Sequence, residues 1–375
     1  MKNTKVTLIV GLLLFVQMIV VRVLSAFPTS IENYYSNGLY PIISKMSRYV
    51  FGWLPFSFGD LMYSVLVILI LRAIFIFIKK RAKEWKQFLV RILAISSIVY
   101  FAFHLLWGLN YYRLPLHQSI GIANEYTTED LLLLTEKLIK NSNRLHAQLA
   151  PNDSTAVKVL TRDGNGAYQT PDDRAGGFKK SELFKTTLNG YNRLKTQFPK
   201  LEYAPKSIKT SLLSYPLSIM GYSGYLNPIT NEAQINGLVP GHRWPVVSCH
   251  EQAHQLGYAK ENEANFIAVL ATLNNEDPYF QYSGSIFALR YCLSDVYDRD
   301  EEKAIALRDK IRPGILKNYA KSQLFWETME NPLEPFFKYF YTGYLKANNQ
   351  PKGLETYSYM VALLVNYNKS FPEAL

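Results

Sequence analysis

His250-Glu251-Gln252-Ala253-His254 is the stretch of this chain whose residue types and spacing fit catalysis. On an α-helix, residues four apart share a face, so His250 and His254 can offer two imidazoles to one metal ion. Glu251, beside the first imidazole, can reach a water next to the ion without binding the ion itself. Zinc lowers the pKa of such a water toward neutrality, and a carboxylate can take its proton as it attacks a carbonyl. The pattern calls for a single Zn2+, with Glu251 as general base in peptide-bond hydrolysis.

A catalytic zinc takes three protein ligands and keeps a fourth position open. Lys260 stands six residues after His254, where metzincins have a third histidine. His104, His117, His146 and His242 have no motif spacing to the pair. A carboxylate must complete the set, and Glu261 and Glu263 are nearest, at the start of a second helix expected to run through Leu270. Here the chain resembles the gluzincin class of zinc peptidases, whose second helix bears a ligand Glu, often followed four residues on by an acid or amide. The resemblance favours Glu261 as third ligand and Asn265 as hydrogen-bond partner of a ligand histidine, with Glu263 the alternative ligand. The gap from His254 to Glu261 is shorter than the class usually has. Oxyanion stabilisation calls for a Tyr, His or Arg near the metal, and Tyr344 and Tyr357 are candidates. His242 can approach from the preceding loop or lie at the surface. Cys249 points to another helix face and reads as a buried apolar residue.

The elements that must position these residues are legible in part. Trp244-Pro245 suits the start of the metal helix and Gly257 its end. Just upstream, Ser211–Tyr215 and Glu232–Asn236 are short and β-compatible, so a small sheet is expected before that helix. Glu232–Asn236 suits either an ordinary hairpin strand or an edge that pairs with an extended peptide. Thr127 precedes a Leu-rich helix to about Leu149, and Ser181–Phe198 reads as another. Asp163–Gly177 has turn composition. From Pro278 onward the pattern is helical again.

Composition places this unit behind a membrane anchor. The chain has 375 residues, 48% of them hydrophobic, and a net charge of +11. Two cysteines exclude a disulfide scaffold. Residues 1–112 hold 12 of the Lys and Arg but only three acids, Glu32, Asp60 and Glu84, so +9 of the charge lies there. That third also carries three apolar runs, about 6–26, 61–78 and 88–107, each near the ~20 residues a spanning helix needs. The basic stretch Lys79–Lys86 and the pair Lys2 and Lys5 read as cytoplasmic. The chain then crosses three times and leaves residues 113–375 outside the cytoplasm. The positive charge is a topology signal rather than a nucleic-acid footprint. The expected partner is a peptide or protein substrate.

Ser57-Phe58-Gly59-Asp60, Trp107-Gly108-Leu109-Asn110-Tyr111-Tyr112-Arg113, Gly224-Tyr225-Leu226-Asn227-Pro228 and the stretch from His250 to Phe266 together resemble an uncharacterised bacterial membrane-protein family, domain of unknown function 3810. The resemblance implies the architecture and a bacterial cytoplasmic membrane, but no activity. The expected fold is mainly α: three transmembrane helices, then a mostly helical α+β, zincin-like extracytoplasmic domain.

Overall fold

The computed structural model describes residues 2–79, 83–158, 161–162, 168–169, 180–350 and 359–373. Tyr357 and most of Asp163–Gly177 lie outside them. The three apolar runs form α1 (Lys2–Leu24), α3 (Phe58–Lys79) and α4 (Trp85–Leu106), with α2 (Tyr40–Gly52) between the first two. At 1.5 Å per residue the 22 residues of α3 extend about 33 Å. All three are long and apolar enough to cross a membrane. Side chains such as Ile9, Ile68, Leu71 and Ile95 stay exposed, as lipid-facing residues would. α1 packs along α4, where a Cβ at Gly11 would come within 3.0 Å of Leu93 and Gln17 donates to Ser97 Oγ at 3.2 Å. Among the described residues, no helix packs along α3 in the same way.

The globular part begins with α5 (Thr128–Leu149), started by a reciprocal capping box between Thr127 and Asp130. It continues with α6 (Lys180–Gln197), α7 (Trp244–Gln255), α8 (Glu261–Leu273) and α9 (Pro278–Arg299). Then come α10 (Glu301–Arg308), α11 (Pro313–Met329), α12 (Glu334–Ala347) and α13 (Met360–Ser370). α7, α8 and α9 form the centre. Cys249, Ala253, Ala264, Ala268, Ala271 and Cys292 are fully buried there, small side chains that let helices approach closely. Gly190 of α6 lies against the Ala271 carbonyl, where a Cβ would come within 1.8 Å, so α6 and α8 cross almost backbone to backbone.

The small sheet has three strands, β1 (Ile208–Thr210), β2 (Gly224–Leu226) and β3 (Ala233–Ile235), in the order β1-β3-β2. β3 runs parallel to β1 and antiparallel to β2. One expectation is corrected. Ser211–Tyr215 is not a strand: β1 ends at Thr210, and a short helix begins at Ser214. Asp60 pulls the chain out of the ladder there, accepting from Ser211 Oγ (3.0 Å) and Leu212 N (2.7 Å). Glu232–Asn236 does hold a strand, β3, and of its two readings the edge is excluded, because β3 is paired on both sides. The edge strand nearest α7 is β2.

Candidate metal centre

α7 presents His250, Glu251 and His254 to one cleft, and the first residue of α8, Glu261, meets them. Glu261 Oε2 lies 3.2 Å from His250 Nε2 and 3.7 Å from His254 Nε2. Among the described residues, His250, His254 and Glu261 form a group whose ligand atoms all fall within 4.8 Å of one another. Their donor set, two imidazole nitrogens and a carboxylate, is one that zinc accepts. Glu261 Oε2 is buried and faces the two imidazole nitrogens, as an oxygen sharing a cation with them would. Burial works to raise the Glu261 carboxyl, but the two imidazoles outweigh it and hold it well below the usual carboxylate range. Burial opposes charge on His254, yet Glu261 raises it to about 9. Glu251 is pushed up to about 7 by burial, against the pull of both histidines.

The short connection between the two helices has a specific cause. Gly257 takes φ +87°, a left-handed conformation, and closes a Schellman turn: Gly257 N donates to His254 O (3.0 Å) and Tyr258 N to Ala253 O (3.2 Å). The chain reverses at once, so only six residues separate His254 from Glu261. The same turn brings the Tyr258 carbonyl to His254 Nδ1 at 2.7 Å. That contact fixes the ring with Nε2 toward Glu261, the orienting role such outer contacts serve in metal sites. It also corrects the expectation for Asn265. Its buried amide nitrogen has no hydrogen-bond partner, and the side chain lines the cleft instead of holding a histidine.

The other candidates separate clearly. Glu263 faces away and accepts from Leu116 N at 2.9 Å, so it does not join the ligand group. His242 is a core residue, 2.9 Å from Ser322 Oγ and 3.2 Å from Asn318 Nδ2, and burial drives its pKa down to about 3. Cys249 is buried, and burial raises its thiol. Tyr344 lines the cleft and accepts from Tyr111 OH at 3.2 Å.

The cleft has a volume of about 1060 Å³. Several of its residues gave no signal in the sequence. Tyr341 donates to Glu261 Oε1 at 2.9 Å, leaving Oε2 for the histidines. Arg243, Arg290 and Tyr291 contribute to the wall. Gly224 of β2 lies against Glu251, where a Cβ would come within 2.8 Å of Oε1 and 2.7 Å of the Gln234 carbonyl.

The four stretches singled out in the sequence interlock around this site. Gly59 packs on Asn227 so tightly that a Cβ would meet Nδ2 at 2.4 Å. Asp60 bonds Tyr225, and Glu232 accepts from Phe58 N (3.1 Å) and Gly59 N (2.7 Å), holding the first turn of α3. At the far end of α7, donors from the membrane-proximal segments cover its last carbonyls. Trp107 Nε1 reaches His254 O (3.1 Å), and Tyr40 OH (2.9 Å) and Ser44 Oγ (2.8 Å) reach Gln255 O. Arg113 reaches Gly257 O (3.0 Å) while paired with buried Glu32 (2.7 Å). Glu32 and Asp60 did carry a signal: they are two of the three acids in an otherwise basic, apolar third.

A family described as "Protein of unknown function (DUF3810)" matches residues 35–365. The chain belongs to that family. The match begins inside the segment that caps α7 and ends in α13, so the DUF3810 unit includes the second and third apolar helices as well as the metal-site helices. No curated protein and no solved structure matches the chain.

Proposed function

We propose that this protein is a membrane-anchored, zinc-dependent peptidase whose globular part lies on the outer face of the bacterial cytoplasmic membrane. The observation that carries the reading is the convergence of His250, His254 and Glu261 within 4.8 Å on the wall of a large cleft that Glu251 shares. A metal serving stability alone is usually enclosed by four protein ligands. Here three converge, and the cleft leaves room beside them for a substrate.

His250, His254 and Glu261 would hold the zinc, which when bound supplies a Lewis acid that acidifies water and polarises a carbonyl. The protein's own groups supply the rest. Tyr258 holds the His254 ring, and Tyr341 holds Glu261. Glu251, with one oxygen lacking a protein partner, accepts the proton of the attacking water and returns it to the leaving amine. Edge strand β2 borders the cleft and offers backbone to an extended peptide. Tyr344, Tyr291 and Arg290 stand on the wall where a developing oxyanion needs a donor.

The test uses the purified full chain. Wild type is expected to hold one zinc per chain and hydrolyse peptides. Glu251→Gln should keep the zinc and lose hydrolysis by about 10²-fold or more. Hydrolysis retained in that variant would remove the peptidase reading and leave a non-catalytic metal-binding envelope protein.

A further inference from the structure

The cleft does not sit on a surface remote from the spans. Tyr63, on spanning helix α3, lines it together with Trp107, the residue that ends α4. α12 also lines it, and its Tyr344 packs on Phe103 of α4, with ring centroids 6.2 Å apart. α12 is therefore tied to the outer end of α4, beside Tyr63 of α3 on the same cleft.

The two faces of α12 differ. Phe337, Tyr341 and Tyr344 line the cleft, and Phe340 stands at its mouth, 70% exposed. Phe336 and Tyr339, outside the cleft, are 62% and 81% exposed, with Leu333 beside them. Apolar side chains left in water in a contiguous row are costly. At the head of α3, Leu212 and Tyr215 are exposed as well, and the Leu212 backbone is bonded to Asp60. Exposed aromatic and apolar side chains beside the ends of apolar helices long enough to cross a membrane match the interfacial layer of a bilayer.

We infer that α12 lies in the lipid interface and that the cleft is loaded from the membrane, so its substrate is a membrane-tethered polypeptide rather than a freely diffusing one. The substrate half rests on the peptidase reading; the seating of α12 does not.

Cys249 and Cys292 are fully buried, so a nitroxide can be placed selectively on Phe336→Cys or Tyr339→Cys in the full chain. Ile305→Cys on α10, 51% exposed, is the aqueous control. In phosphatidylcholine–phosphatidylglycerol vesicles, labels at 336 and 339 should collide with oxygen in preference to a nickel chelate, and the label at 305 the reverse. Equal chelate access at all three positions would overturn the seating.

A mixed-sequence peptide library, either free or acyl-tethered to the same vesicles, tests the substrate class. Tethered peptides should be cleaved at least about tenfold faster. In Phe336→Ser/Tyr339→Ser that advantage should vanish, with zinc content and free-peptide cleavage unchanged. Equal cleavage of both forms by wild type overturns the substrate class. Cleavage of neither, with labels in lipid, overturns the peptidase reading and the substrate class with it, while α12 keeps its place.

Discussion

At the scale of single residues, the ligand set divides by chemistry that can be tested directly. Glu261→Gln should abolish stoichiometric zinc binding, whereas Glu263→Gln should leave one zinc per chain, because Glu263 serves the Leu116 backbone. Tyr341→Phe removes the hydroxyl that steadies Glu261, and should weaken zinc by about 10–100-fold in a chelator competition. Gly224→Ala should retain zinc yet lose hydrolysis, since its Cβ would press on the Gln234 carbonyl and on Glu251 rather than on a ligand. His250, Glu251 and His254 were legible in the sequence because helical spacing is local. Tyr341 was not, since 80 residues separate it from Glu261. With 27 tyrosines in the chain, nothing local distinguishes it.

At the scale of elements, the turn after α7 governs the geometry. A side chain at Gly257 meets two obstacles: the positive φ, and contact at 2.9 Å with the Tyr40 ring. Gly257→Ala should therefore destabilise the protein by about 1–3 kcal/mol, measured by denaturant unfolding, and reduce zinc affinity through the Tyr258 carbonyl. The sequence marked Gly257 as a helix end. It could not show that the same turn orients His254. Strand positions were less legible than helices. β1, β2 and β3 have three residues each, too few for alternation to register, and a side chain 151 residues away at Asp60 decides where β1 stops. The helix over 128–149 follows its capping box and Leu periodicity closely because those cues lie within the segment, and the helix over 180–197 falls where Ser181–Phe198 was expected.

At the scale of the molecule, Phe27–Asp60 is more than a link between spans. It carries Glu32, Tyr40 and Ser44 to the end of the metal helix. Removing one partner of a buried ion pair costs about 3–5 kcal/mol, and Glu32→Gln should destabilise the full chain on that order in thermal unfolding. Burial raises the Glu32 carboxyl, but hydrogen bonds and charge from Arg113 prevail and hold it below its ordinary 4.5. A depressed carboxylate contributes stability above its unfolded value and loses it as pH falls through the folded one. Wild-type melting temperature should therefore drop on acidification below about pH 4.5, with a smaller drop in Glu32→Gln. A fragment starting at Tyr112 should express as an unstable species, although composition alone makes residues 113–375 look self-sufficient.

The donors that cover the last carbonyls of the metal helix also set an order of events in biogenesis. Trp107, Tyr40 and Ser44 reach the His254 and Gln255 carbonyls only when the hydrophobic helices flanking them are in place. A chain whose apolar helices have not entered a bilayer lacks those donors at the end of α7. On the proposed zinc reading, metal acquisition then follows insertion. Translation in a cell-free extract, with and without vesicles, should give zinc-loaded protein only in the vesicle fraction.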